Sequence, residues 1–349
     1  MRWNKRLAVG LICVALAATG AAQPRAPFVH KKKYAMGTVF EIVAYGESLA
    51  QASDATDQAF QEIVRLDDLM SDYKADSALS HLNHTAYSQS QSVPPDLYRV
   101  IEEALVYSRL SGGKFDVTVG PLVSLRKAVL RGERAPSSAE EGRLRDCVGY
   151  QKVELLPADR IKFRSPCVRI DLGAIGKGYA LDRAADVLRS HGISRALLNA
   201  GGSTIFAMGD PPGRTGWLVH LRDPSNQVDP QVILSDNSVS TSEQTPPSLL
   251  SQEPAGYIID PDTGLPARTQ FAVSAVARTG TASDALSTAL LLVGPEKGRA
   301  VVKSVDNTAA IWISSDGHSE VASSGPQILL PGATRGLARN APTESDDSR

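Results

Sequence analysis

Asp284 and Thr288 stand four residues apart in SDALSTALLLVG (283–294), with Ser287 between them. On a helix that spacing stacks a carboxylate and a hydroxyl on one face. Hard oxygen donors so placed suit a divalent cation such as Mg2+, above all where phosphate oxygens complete its shell. A plainer reading fits the same residues. Thr281 and Asp284 match a capping box, which would use Asp284 as the N3 carboxylate and leave Ser287 and Thr288 as ordinary helix residues. A second stretch, RIDLGAIGKGYALD (169–182), sets Lys177 among glycines just beyond Asp171. It is not a phosphate-binding P-loop, because only two residues separate Gly173 from Gly176 and a glycine follows Lys177. The dinucleotide pattern of three spaced glycines is absent as well. Two readings remain: an anion site at a helix N-terminus, or a strand-to-helix turn that needs glycine for positive φ, with Lys177 in solvent.

Three further stretches carry weaker signals. MSDYKADSALSHLN (70–83) follows a helix and puts Tyr73 in a loop, where its ring can stack on a base or flavin or pack on the surface. SGGKFDVTVGPLV (111–123) reads as a glycine helix stop followed by a strand whose apolar run Asp116 interrupts, either as a surface residue or as a ligand group. Asp260-Pro261-Asp262-Thr263-Gly264 reads as a turn, with proline fixing φ and glycine supplying a positive φ.

The elements that must position these residues follow from periodicity. Ala59, Ile63, Leu66 and Met70 predict a helix over 53–70, and Leu97, Ile101, Leu105 and Ser108 a second from Pro95 to the Gly112-Gly113 stop. A short helix is expected near 138–146. From residue 170 strands and helices alternate: VRIDL, a helix through Ala180–Leu188, then ALLNA and STIFAM about a Gly201-Gly202 turn. Short strands WLVHL, QVILS and SVST follow, then FAVSAVAR, the helix bearing Asp284, PEKGRAVVKSV and the strand AAIWI. Strands crowd too closely between 194 and 242 for a doubly wound parallel fold. The expectation is α+β: one large mixed unit of mainly antiparallel sheet with packed helices.

A formal net charge of −1 and 5% aromatic residues give no basic field for nucleic acid. The N-terminus runs from basic MRWNKR through apolar LAVGLICVALAATG to small residues before Gln23, the order of a secretory signal peptide over 1–22. Export would leave Cys147 and Cys167, which flank an expected hairpin and are either disulfide-bonded or buried free thiols. The polar tail 336–349 is expected to be disordered.

In order along the chain, AMGT (35–38), SDYKADSALSHLN (71–83), GGKFDVTVGPL (112–122), IDLGAIGKGYALD (170–182), NAGG (199–202), IIDPDTG (258–264) and SDALSTALLLVG (283–294) resemble the ApbE-like family of FAD:protein FMN transferases. The resemblance implies a T-fold-related domain over 23–335. It implies an exported, Mg2+-dependent transferase that cleaves FAD, attaches FMN to a threonine of an exported or membrane-bound acceptor flavoprotein, and releases AMP. Some relatives hydrolyse FAD to FMN and AMP instead. Carried onto this chain, the metal ligands are the Ala174 carbonyl, Asp284 and Thr288, with Ser287 nearby. Flavin and adenine contacts fall on Met36, Tyr73, Lys114, Phe115, Asp116, Asp171, Lys177 and Ile259, and Asp284 and Lys177 serve catalysis. The chain departs from the family pattern at Glu243 (for glycine), Tyr257 (for histidine) and Ser203 (for an acid). With the histidine gone, Asp284, Glu243 and Asp260 are the carboxylates to consider as proton acceptor. A flavin-binding protein that no longer transfers, or a FAD pyrophosphatase, are the alternatives.

Overall fold

The computed structural model describes residues 26–133, 136–244 and 256–331. The expected signal peptide and polar tail lie outside these residues. None of the described helices is long and apolar enough to cross a membrane.

The first hairpin joins β1 (Phe28–Ala35), an edge strand buried only at Ala35, to β2 (Thr38–Tyr45), in which every second residue from Phe40 to Ala44 is buried. Helices α1 (Leu49–Met70) and α2 (Ala78–Thr85) follow, then the two-residue β3 (Gln91–Ser92) and helices α3 (Pro95–Leu110), α4 (Gly120–Leu130) and α5 (Ser138–Arg145). A small hairpin, β4 (Val153–Leu156) and β5 (Arg160–Phe163), precedes α6 (Gly176–Ser190). Five strands come next: β6 (Arg195–Ala200), β7 (Thr204–Met208), β8 (Trp217–His220), β9 (Gln231–Leu234) and β10 (Asn237–Glu243). The chain closes with β11 (Phe271–Ala277), α7 (Gly280–Ser304), β12 (Ala309–Ser314), β13 (Ser319–Ser323) and β14 (Ile328–Leu329). Within α7, Gly294 has φ +73° and breaks the helix before Pro295.

Eight strands form one sheet in the order β1-β2-β6-β7-β10-β11-β12-β13, every neighbour antiparallel. Helices α1, α6 and α7 cover one face, burying Ile42, Leu198 and Phe206 in one cluster and Val273, Ala275 and Trp312 in another. The small sheet β14-β9-β8 packs on the opposite face over Val239, Val276 and Ile311. This is the expected α+β unit of antiparallel sheet with packed helices. Both faces are covered, so the central strands lose the simple apolar–polar alternation of a half-exposed sheet.

Three local expectations are corrected. Residues 114–119 form no strand: only Val119 bridges, to Arg169, and Gly120-Pro121 then starts α4. Proline near a helix start supplies a preset φ where its missing N–H costs nothing. VRIDL likewise makes only that isolated bridge, although Asn83 holds both backbone groups of Ile170. The capping box is also displaced. Thr279 is the N-cap of α7, its side chain accepting from the Ala282 N–H, so Asp284 lies a turn inside the helix. Two helices, α2 and α4, were not expected. Cys147 and Cys167 are disulfide-bonded with Cα atoms 5.3 Å apart, which settles the choice against free thiols.

Candidate active site

Register places the site at one end of the large sheet. Phe40, Ala200, Thr204, Ser240 and Ala275 lie opposite one another across five strands. The Met36-Gly37 and Gly201-Gly202 turns lie beyond that row, tied by the Gly201 N–H donating to the Val39 carbonyl. α7 crosses the same end, and α6 begins beside it.

Asp284 is 4% exposed, yet it has several partners. Its Oδ2 accepts the Gly178 N–H at 3.0 Å. Its Oδ1 accepts from the Thr204 and Ser240 hydroxyls at 3.2 and 3.3 Å, and Lys177 Nζ stands 3.9 Å away. Ser242 Oγ bridges Ser287 Oγ at 2.8 Å and Thr288 Oγ1 at 3.0 Å. Lys177, Asp284, Ser287 and Thr288 therefore converge as the sequence suggested. The hydroxyl wall of Thr204, Ser240 and Ser242 was missed. Its signal was present: Ser238, Ser240 and Ser242 alternate in NSVSTSE, so one strand face carries three hydroxyls toward α7.

The glycines of GAIGKG, Gly173, Gly176 and Gly178, do not serve positive φ. Gly178 is required by close approach instead, because a Cβ there would meet the Gly280 carbonyl oxygen at 2.0 Å. The α6 N-terminus does hold an anion, and that anion is the protein's own Asp284 carboxylate. Lys177 Nζ also donates to the Gly173 carbonyl at 3.1 Å. Ala174 is half-buried in the turn before the helix, and its carbonyl accepts no hydrogen bond found among the described residues. Among those residues no three His, Cys, Asp or Glu side chains converge on a metal position. The donor set here is one carboxylate with hydroxyl and carbonyl oxygens.

A second group surrounds Lys127, which sequence reasoning missed because nothing in α4 marks it. Its Nζ lies 3.6 Å from both Asp72 and Asp171, 4.5 Å from the Tyr73 ring centroid and 6.0 Å from that of Tyr257. Burial alone would push this ammonium down, but Asp171, Tyr73 and Asp72 outweigh it and hold its pKa above the ordinary lysine value. Asp72 is pushed up, by burial first and by the Asp171 charge second. Asp171 also accepts the Gly173 N–H at 2.7 Å, linking this group to the GAIGKG turn. Tyr73 and Tyr257 are exposed, at 72% and 56%.

The other expected contacts are differently disposed. Met36 occupies the β1–β2 turn at φ +49°. Phe115 is buried against Tyr107, and Ile259 is buried against Leu122 and Val123, so their side chains belong to the core. Asp116 is buried with both oxygens engaged, Oδ1 by Thr118 and Oδ2 by the Tyr150 N–H. Burial pushes its carboxyl up despite these bonds. It shapes the loop. Lys114 pairs with Asp260 and Asp262, each at 2.8 Å. Glu243 points to the opposite sheet face and pairs with Arg222 at 2.9 Å.

The sequence profile of the ApbE family matches residues 36–312. The chain belongs to the ApbE family. It is accordingly a transferase. The FAD:protein FMN transferase of Vibrio cholerae serotype O1 is 31% identical over 310 residues, covering 85% of this chain and 91% of the relative. That of Treponema pallidum is 29% identical over 335 residues, covering 90% and 91%. The solved flavin transferase ApbE from Vibrio cholerae superposes with a TM-score of 0.75 at 28% identity, covering 86% of this chain and 98% of that one. This family member thus shares the fold nearly end to end.

Proposed function

We propose that this transferase is an exported, Mg2+-dependent FAD:protein FMN transferase. It cleaves the FAD pyrophosphate and joins FMN by a phosphoester to a threonine of an exported or membrane-bound acceptor flavoprotein. The observation that carries the reading is the convergence of Lys177, Asp284, Ser287 and Thr288 at one sheet end, in a chain of this family. Breaking a phosphoanhydride depends on positioning and on neutralising the phosphoryl oxygens. Asp284 Oδ1, the Thr288 and Ser287 hydroxyls and the Ala174 carbonyl would hold Mg2+, with diphosphate oxygens needed to complete its shell. When bound, the metal supplies Lewis-acid charge neutralisation. Lys177 adds a second positive charge beside the same oxygens. Tyr73, exposed over Lys127, offers a ring for the isoalloxazine to stack on.

The threonine oxygen attacks the FMN-side phosphorus, the bond to the bridging oxygen breaks, AMP leaves, and the hydroxyl proton is released. The Cys147–Cys167 disulfide supports folding in an oxidising compartment, as export requires.

A second reading has its own observation. Glu243 and Asp260 are tied up by Arg222 and Lys114, and Tyr257 stands where a histidine is common. That arrangement favours FAD binding without transfer.

One incubation separates these outcomes: FAD, Mg2+ and a candidate exported acceptor, read by chromatography and in-gel flavin fluorescence. Transfer gives AMP and a fluorescent acceptor band, and hydrolysis gives free FMN and AMP. Intact FAD after hours with Mg2+ and acceptor would refute turnover of either kind.

A further inference from the structure

Two five-residue segments on different helices share one pattern, glycine followed four residues later by aspartate: GYALD (178–182) in α6 and GTASD (280–284) in α7. In the fold each glycine meets the other segment's aspartate. Gly178 N–H donates to Asp284 Oδ2 at 3.0 Å, and Gly280 N–H donates to Asp182 Oδ1 at 2.6 Å. Asp182 Oδ2 also accepts from the Thr281 N–H at 2.8 Å and from its hydroxyl at 2.5 Å. The two glycines touch backbone to backbone. A Cβ on Gly178 would meet the Gly280 carbonyl oxygen at 2.0 Å, and one on Gly280 would meet that of Gly178 at 2.5 Å.

The first N–H groups of a helix need partners from outside it. Here each helix obtains a carboxylate from the other rather than from its own N-cap. Ile175, at the N-cap of α6, supplies no side-chain bond. In α7, Asp182 takes the first two N–H groups, and Thr279 takes the next two through its hydroxyl and its carbonyl. The carboxylates differ in what else they face. Asp284 looks toward Lys177, Thr204 and Ser240. Asp182 lies among Glu103 and Tyr107 of α3 and Asp186 of its own helix, away from the site.

We propose that Asp182 is a positioning residue, whose cap on α7 closes a reciprocal clamp that fixes Asp284 against the start of α6 and thereby sets its distance from Lys177. The inference rests on the proposed diphosphate site for its catalytic meaning, while the clamp itself is testable without turnover. Losing the Asp182 bonds frees the α7 N-terminus to shift along α6. Asp284 then leaves the Gly178 N–H, and the charge geometry at the site loosens. A misplacement of about 1 Å far from the chemistry is enough to cost about a hundredfold in rate.

The test uses the full chain, its Asp182→Ala, Asp182→Asn and Thr281→Val variants, amide hydrogen exchange, and AMP release from FAD in the presence of the candidate exported acceptor across a Mg2+ titration. In Asp182→Ala the Gly178 amide, on the other helix, should lose about tenfold or more of its protection, the size of a typical capping loss. A cap that served α7 alone would expose Gly280 and Thr281 and leave Gly178 untouched. Turnover should fall about tenfold or more, with more Mg2+ needed for half-saturation and FAD KM little changed. Asp182→Asn should restore part of both, since one acceptor oxygen remains. If Asp182→Ala does not fold, Thr281→Val, which removes one hydroxyl, should still raise Gly178 exchange about two- to fivefold. Unchanged Gly178 protection in folded variants overturns the clamp. Absence of AMP from the unmodified protein, with the exchange coupling intact, overturns the transferase reading and leaves the clamp standing.

Discussion

The α6–α7 junction and the Lys127 mouth both collect charges at the site, but by opposite physical means. At the junction the carboxylates are bound to backbone: buried Asp284 and half-buried Asp182 accept helix N–H groups, and glycine contacts bring the two backbones together. At the mouth Lys127 gathers side chains from three loops, and both tyrosines remain exposed. Backbone-held geometry has few ways to relax, whereas side chains on loops can adapt to a ligand. Under the proposed reading, fixed placement would serve the phosphate chemistry and adjustable contact the planar ring.

The sharpest way to break this contrast is Asp284→Ala, which removes both the Gly178 cap and the site carboxylate. AMP release from FAD in the presence of acceptor should fall on the order of 10²–10³-fold. Unaltered turnover in chelator-containing buffer would refute the metal assignment.

Gly178→Ala comes next. Its methyl would lie 2.0 Å from the Gly280 carbonyl oxygen, so the helices must part. A stability loss of about 1–3 kcal/mol in urea titrations is expected, with a fall in turnover. At the mouth, Tyr73→Ala should weaken FAD binding only about three- to tenfold, read by flavin fluorescence, and leave the melting temperature nearly unchanged. A mouth variant that unfolds the protein, or a Gly178→Ala protein as stable and active as its parent, would erase the distinction.

The smallest effect is a slope with pH. Burial, outweighing its hydrogen bonds, pushes the Asp182 carboxyl up to about 6 from 3.8. Between those values the folded protein holds a proton that the unfolded chain releases. This group's contribution to stability is therefore present below about pH 4 and is lost as pH rises through about 6. Relative to Asp182→Asn, the unmodified protein should lose stability across that window. A parallel pair of stability–pH curves would contradict it.

Much of the fold was legible because burial imposes a period. The helix ending at Met70, the helix from Pro95 and strands β6 to β12 all follow from apolar spacing. The misses have specific causes. The run after Asp116 looked like a strand, but Asp116 spends both oxygens folding its own loop, and Gly120-Pro121 turns the chain into α4. Lys127 sits in a helix whose sequence gives no hint of four partners contributed by three loops. The Gly-x-x-x-Asp pattern is visible in both helices, yet only contact between them gives it meaning.

For the site, the sequence by itself determined the donors: a carboxylate and a hydroxyl four apart on α7, and a lysine at a helix start. That information is local, because helical spacing alone sets which side chains share a face. The tertiary structure decided which anion fills the α6 N-terminus, since Asp284 reaches it from more than a hundred residues away. It also decided why Gly178 must be glycine, for the reason is another backbone and not its own dihedral angles. Such pairings depend on which helices the antiparallel sheet lays side by side, and no local period encodes that choice.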